Sequence, residues 1–365
     1  MYSKLHFISC NSGNSLLSLK LQFNAMKSFL IFVVLICCCC TYIQAQSYRD
    51  TLFQHHTLSH PKLKTFEIHV TKSSSGQKRP LILYLDGSGT YPIFYQNKAG
   101  RYSTSVPLDV RRYSKDYYVA LISKPGTPFK DSLRYTTSGR AYYPESELYK
   151  TLYSLDWRAE AASEAIDYLL KKLPIDVDKI IVMGYSEGAQ VAPKVAVLNK
   201  KVTHVVSLVG NALNHLYDFI LEARLKAERQ QISPEESQAI VDSLYREYAK
   251  IYQNPQAIDQ SWYGATYLKW SSFSKTTPLE NMLKLDIPIL YVAGGKDNNQ
   301  TILGMDYAKL EFLRQGKNNL TYKVYPSCNH FFQEENNVDG NIKRVDRIDE
   351  VHQFAIEWIT GVSKK

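Results

Sequence analysis

Gly184-Tyr185-Ser186-Glu187-Gly188 constrains this chain more than any other stretch, because it stands where the apolar run Ile180-Ile181-Val182-Met183 gives way to the helix-like Ala189-Gln190-Val191-Ala192. A serine on a tight strand-to-helix turn has its hydroxyl pushed out at the end of a sheet, and flanking glycines keep other side chains from colliding there. The string alone is common in turns; the strand before it and the helix after it make it a nucleophile elbow. If so, an acid and then a histidine should follow downstream, each just beyond a strand. Ile287 to Ala293 reads as a buried strand running into Gly294-Gly295-Lys296-Asp297. The strand Leu320 to Tyr325 leads through Pro326-Ser327-Cys328-Asn329 to His330. Singly these are an ordinary turn aspartate and an ordinary surface histidine. Jointly, Ser186, Asp297 and His330 are three catalytic residue types at three strand ends in the right order.

A tetrahedral intermediate carries an oxyanion that must meet preorganised N–H donors. Leu81 to Leu85 is a strand followed by Asp86-Gly87-Ser88-Gly89, whose small residues let backbone approach a ligand closely. One donor is expected from the backbone of Gly87 or Ser88, the other from the N–H of Glu187, directly after the nucleophile.

On these residues the chain resembles the α/β-hydrolase family from about Phe66 onward. Within it the chain is similar to the dienelactone-hydrolase and prolyl-oligopeptidase-like esterases, which carry a Gly-Ser-Gly oxyanion loop and a Gly-x-Ser-Glu-Gly elbow, matched by Gly87-Ser88-Gly89, by Gly184 to Gly188 and by the trailing Val191-Ala192-Pro193. The resemblance implies a mostly parallel central sheet flanked by helices, a Ser-Asp-His triad and no cofactor. One departure is Asp86, where a histidine commonly precedes the first oxyanion glycine. A carboxylate aimed into the hole would oppose the developing charge, so Asp86 is expected to point away and bond loop backbone.

Met26-Lys27, the apolar Phe29 to Ile36, and a small residue at Ala45 read as a secretory signal over residues 26–45. The run is short of the roughly 20 residues a membrane span needs. Residues 1–25 read as an upstream extension outside the fold, and residues 46–365 as the catalytic domain, secreted or periplasmic once the signal is cut. Five of the six cysteines precede the cut, leaving Cys328 and no internal disulfide. Three lysines and no acids precede it too, so the formal charge falls from +9 to +6. The remaining charges are scattered rather than blocked, which excludes a nucleic-acid stripe.

Strands and helices alternate as one α/β domain. Leu63 belongs to a lead-in segment, Phe66 to Val70 to an early strand, Tyr117 to Ile122 and Val202 to Val209 to further strands. Trp157, Ala161, Ala165, Tyr168, Leu169 and Leu173 recur at helical spacing ahead of the elbow strand, and Val351, Phe354, Ala355 and Trp358 define a last helix that packs on the sheet. Residues 213–276 exceed a simple crossover. Leu216 to Gln231 and Pro234 to Tyr252 are helix-like, with Ser233 placed to cap the second, and together they are expected to form a helical cap over the site. Tyrosine is abundant, 27 in all. Tyr91, Tyr185, Trp262 and Tyr263 are the expected substrate contacts, since such rings pair a flat face with a polar handle.

No metal cluster, dinucleotide fingerprint or phosphate loop is visible, and Gly87-Ser88-Gly89 lacks the lysine of a P-loop. The expected activity is a serine hydrolase acting on a small-molecule carboxylic ester, with a peptidase, a thioesterase and a non-catalytic binding protein as rivals. The prolyl-oligopeptidase peptidases usually carry an N-terminal propeller. With about 20 residues between the cut and Phe66, none is expected in this chain. Oligomeric state is not legible.

Overall fold

Eight strands make the central sheet of the computed structural model, which describes residues 51–73, 76–338 and 341–361. The expected leader, its cut near Ala45 and residues 1–25 lie outside the described residues. The strands are β1 (Phe53–His60), β2 (Lys64–Thr71), β3 (Arg79–Leu85), β4 (Tyr118–Ile122), β5 (Ile175–Tyr185), β6 (His204–Leu208), β7 (Ile289–Gly294) and β8 (Leu320–Tyr325), in spatial order β1-β2-β4-β3-β5-β6-β7-β8. Pairing is antiparallel for β1 with β2 and β2 with β4, and parallel everywhere else. The strand β1 was not expected: its Phe53-Gln54-His55-His56-Thr57-Leu58 pattern is mostly polar, as suits an edge strand with one half-covered face.

The elbow strand shows why its apolar run is continuous. Ile180 and Val182 enter one buried layer, with Trp157, Ala161 and Phe312, while Ile181 and Met183 enter the other, with Val351 and Ala355. A parallel sheet covered on both faces needs apolar side chains at successive positions. The covering helices include α1 (Leu155–Lys172) and α2 (Glu187–Leu198) on the first face. Pro193 stands inside α2 and cannot donate to the carbonyl of Ala189. The Ser207 hydroxyl of β6 supplies that bond instead, at 3.1 Å.

The insertion holds α3 (Tyr217–Glu228), α4 (Pro234–Gln253) and α5 (Tyr267–Lys275). Ser233 caps α4 by accepting from the Glu236 N–H at 3.0 Å, with Pro234 at the first helical position. Leu216, Ile220, Val241, Leu244, Tyr248 and Trp270 form a separate small core, so this segment carries its own apolar packing. Phe273 at the end of α5 instead joins the core of the sheet domain. Beyond it, α6 (Leu303–Arg314) and α7 (Ile348–Thr360) complete the layers. The buried face of α7 is Ile348, Val351, His352, Ala355 and Ile359; Phe354 and Trp358, expected on the face that packs on the sheet, are half-buried and pack against the same core, and His352 faces Tyr84. A hairpin, Gln333–Val338 with Asn341–Asp346, was also not expected. No described helix is long and apolar enough to cross a membrane.

Burial of histidines sets a pH dependence of stability. His352 is fully buried, and burial pushes its pKa down to about 3. His69, whose Nε2 lies 2.9 Å from Ser123 Oγ, is also held down to about 3, by burial first and then by the neighbouring His55 and His56. Both values lie below the unfolded value near 6.5, so the unfolded chain binds these protons first. The stability they support is complete above about pH 6.5 and is lost as pH falls toward 3. The unfolding free energy from urea titrations should therefore fall between pH 7 and 4, by up to about 1.4 kcal/mol per pH unit for each histidine. His352→Gln should flatten that slope, and an unchanged slope would show that folding does not lower the pKa of His352.

Candidate active site

Three loops at the carboxyl ends of neighbouring strands meet. Ser186 follows β5, Asp297 lies three residues past β7 and His330 five past β8. His330 Nε2 is 3.0 Å from Ser186 Oγ, and His330 Nδ1 is 2.7 Å from Asp297 Oδ2. Asp297 is 7% exposed and cannot donate when ionised, so the shared proton sits on Nδ1 and leaves Nε2 as acceptor for the serine hydroxyl. Its other oxygen, Oδ1, accepts from the N–H groups of Asn299 and Gln300 at 2.8 and 2.9 Å. Asn329 Oδ1 accepts from the N–H groups of Phe331 and Gln333, shaping the turn that carries His330.

Ser186 has φ 54° and ψ −117°, a left-handed conformation that costs an ordinary residue about 1–3 kcal/mol. The glycines explain how the turn closes. A Cβ on Gly184 would strike the Gly188 carbonyl, and one on Gly188 would strike the Leu85 carbonyl. The second contact is the approach of elbow and oxyanion loop, which sheet pairing makes unavoidable because Leu85 is the partner of Gly184. A Cβ on Gly87 would lie 3.4 Å from Ser186 Cβ. Glu187 is the first residue of α2 and has no intrahelical acceptor for its N–H. The geometry thus brings a serine hydroxyl, an imidazole and a carboxylate into one line of hydrogen bonds, with backbone N–H groups beside them, an arrangement that acyl transfer can use.

Asp86 departs from expectation. Its oxygens are not spent on loop backbone but on Lys124 Nζ at 2.7 Å and Arg158 Nη2 at 2.8 Å. Glu187 is 2% exposed and pairs with Arg158 at 3.2 Å and Lys269 at 2.8 Å, and it accepts from the Tyr153 hydroxyl. Burial alone would raise its carboxyl; Lys269, Arg158 and Lys124 hold it well below the usual range. Burial pulls Lys124 down, and Asp86 works against that. These partners were missed because they are scattered in sequence. A faint signal existed at Arg158, charged within the small-residue stretch Trp157 to Ala162, which is buried almost all round.

The four expected substrate contacts divide. Tyr185 packs its ring against His330 and donates its hydroxyl to the His330 carbonyl at 2.9 Å. Tyr91 lies beside Gly89 and donates to the Ala141 carbonyl at 3.1 Å. Trp262 and Tyr263 make ring contacts with Phe219 and each other, and Trp262 with Tyr248 and Trp270, all inside the insertion. They pack against its small core. A groove of about 740 Å³ between Trp157, Leu268 and Ser272 includes none of Ser186, Asp297 and His330. Among the described residues no group of three or more His, Cys, Asp or Glu could hold a metal ion.

A family model described as BAAT / Acyl-CoA thioester hydrolase C terminal matches residues 160–334, just under half of the chain and a span that contains Ser186, Asp297 and His330. Taken with the strand order and the mostly parallel central sheet, that match agrees with one fold. The chain has the α/β-hydrolase fold. No curated protein matches the sequence. Among solved structures, acylaminoacyl peptidase from Pyrococcus horikoshii is 12% identical, with 76% of this chain and 38% of that one covered and a TM-score of 0.49. A Mycobacterium tuberculosis puromycin-hydrolyzing peptidase is 14% identical, covering 77% and 37%, at 0.48. Porphyromonas gingivalis dipeptidyl peptidase 4 is 14% identical, covering 87% and 36%, at 0.49. The chain thus spans little more than a third of the length of those structures, and its fold assignment rests on its own strand order and register.

Proposed function

We propose that this α/β-hydrolase is a serine hydrolase that cleaves a carboxylic ester through an acyl-enzyme, with Ser186 as nucleophile, His330 as general base and Asp297 as its orienting acid. The observation that carries the reading is the unbroken run from Asp297 Oδ2 to His330 Nδ1, at 2.7 Å, and from His330 Nε2 to Ser186 Oγ, at 3.0 Å. Nε2 takes the hydroxyl proton as Oγ bonds the carbonyl carbon, and returns it to the leaving alcohol as the carbon–oxygen bond breaks. Water, deprotonated by the same nitrogen, then releases the acid and frees Oγ. A thioester is the second reading, favoured by the name of the family that matches residues 160–334. A panel of ester, thioester and amide substrates, with a fluorophosphonate probe as control, ranks them. Turnover confined to amides would overturn both readings.

Cleavage after Ala45 and export are part of the proposal, supported by the apolar run Phe29 to Ile36 and the small residue at the cut. N-terminal sequencing of protein exported by its native host tests it.

The insertion is proposed to cap the site and select for substrate size. Its proximity is supported by Lys269 of α5, which reaches Glu187 beside the nucleophile. Because Phe273 belongs to the sheet-domain core, a deletion must spare α5. Replacing Tyr217–Gln253 by a short flexible linker should leave turnover of small activated esters within about tenfold and lower that of bulky esters more than 100-fold, a loss of positioning rather than chemistry. An unchanged substrate profile would make the insertion peripheral.

A further inference from the structure

Lys124 follows β4, outside the elbow, the acid loop and the histidine loop, yet its ammonium reaches the expected oxyanion loop. Nζ donates to the Gly87 carbonyl at 2.6 Å and to the Gly89 carbonyl at 2.8 Å, and pairs with Asp86 Oδ2 at 2.7 Å. Three protons meet three acceptors, and the side chain is 4% exposed. Arg158 takes the next carbonyl, that of Asp86, at 2.9 Å, and reaches Glu187 Oε1 with its other nitrogen at 3.2 Å. Buried cations therefore hold the carbonyl oxygens of Asp86, Gly87 and Gly89. In a trans peptide the N–H points opposite the C=O, and this chain has no cis bond among its described residues. The N–H groups of Gly87 and Ser88 are thereby turned away from Lys124 and Arg158.

We infer that Lys124 is a positioning residue: its ammonium pins the Gly87–Ser88 peptide so that the amide hydrogen is preset to meet the oxyanion, while Arg158 ties that loop to Glu187, whose N–H is the second donor. The inference rests on the serine-hydrolase reading. The physical reason is preorganisation. A flexible Asp-Gly-Ser-Gly loop would have to order itself as charge develops, whereas carbonyls already bound to buried cations leave no reorganisation to be done in the transition state. Hydrogen bonding at the carbonyl also polarises the peptide and strengthens its N–H as a donor. The cluster of Asp86, Glu187, Lys124, Arg158 and Lys269 carries one more positive than negative charge, which suits a neighbouring anion. It also gives the Asp86 carboxylate a place: as the counter-ion that lets two cations sit dry beside the loop.

The test begins with wild-type protein, which must be labelled by a fluorophosphonate at Ser186 and turn over p-nitrophenyl acetate; failure there sinks the hydrolase reading and this inference with it, whereas the variants that follow test the inference alone. The double variant Lys124→Met/Asp86→Asn removes the ammonium without leaving its carboxylate partner charged and unpaired. It should melt cooperatively, with kcat lowered about 100-fold, KM within threefold, and a boronic acid inhibitor weakened by the same factor as kcat/KM, since loosening a donor forfeits part of the 10²- to 10³-fold that removing one costs. Asp86→Asn alone strips two buried cations of their carboxylate and should melt at a lower temperature than the double variant. A folded double variant with kcat within threefold of wild type, or one whose loss lies wholly in KM, overturns the inference. If the double variant does not fold, a crystal structure of the wild-type boronate adduct decides. A boronate oxygen about 3 Å from the Gly87 or Ser88 nitrogen supports it, and an oxygen out of reach of both overturns it.

Discussion

Ser186→Ala is expected to lower kcat by about 10⁴- to 10⁶-fold while leaving a cooperatively folded protein. The hydroxyl is the one group in the site that can form the covalent bond to the acyl carbon, and His330 Nε2 stands 3.0 Å from it with no other proton to take. Alanine keeps the Cβ and therefore the left-handed backbone at φ 54°, so the strain of the turn is unchanged and the melting temperature should barely move. Ser186→Gly is the companion variant: equally inactive, but more stable by roughly the 1–3 kcal/mol that a non-glycine residue stores there. Two readouts check the pair, kcat on an activated ester and the urea midpoint. Fluorophosphonate labelling of wild type at any other residue would remove Ser186 from the mechanism.

Asp297→Asn should cost about 10⁴-fold in kcat, the scale seen when the acid of such a triad is made neutral. The two N–H groups from Asn299 and Gln300 aim at Oδ1 and will hold the asparagine carbonyl there. Its amide nitrogen then faces His330 Nδ1, donor against donor, and the imidazole must shift its proton to Nε2. That leaves no acceptor for the Ser186 hydroxyl. Asp286→Asn is the control. Asp286 precedes β7, at the opposite end of the strand, with its side chain 97% exposed against Lys317. An exposed pair of this kind is worth about 0–1 kcal/mol, and activity should stay within twofold. The reverse ranking of the two variants would show that another carboxylate orients His330.

Local pattern made most of the sheet readable. The apolar runs at Leu81, Ile180 and Ile289 are each buried on both faces, so no alternation blurs them, and each is followed by small residues that stop the strand. The edge strand β1 was hidden for the opposite reason: with one face half-covered, its histidines and threonine read as loop. Tyr185 shows what type alone does not reveal: its hydroxyl also holds the carbonyl of His330.

What the sequence determined by itself is the order of chemistry along the chain: a serine between glycines at a strand end, then an acid, then a histidine, each beyond its own strand. Those features are local, because strand runs, turn glycines and helix caps are settled within a few residues of one another. Only the tertiary structure decided which charges share a dry space. Asp86, Lys124, Arg158, Glu187 and Lys269 come from five separate segments, and on sequence Asp86 was expected to bond its own loop. Parallel pairing of β3 with β4 and β5 brings Lys124 and Glu187 to the same sheet end as Asp86, and α1 and α5 deliver Arg158 and Lys269 from one side. Once buried together, each charge must find an opposite partner, because an unpaired charge in that interior costs several kcal/mol, and no reading along the chain reveals which partner it will be.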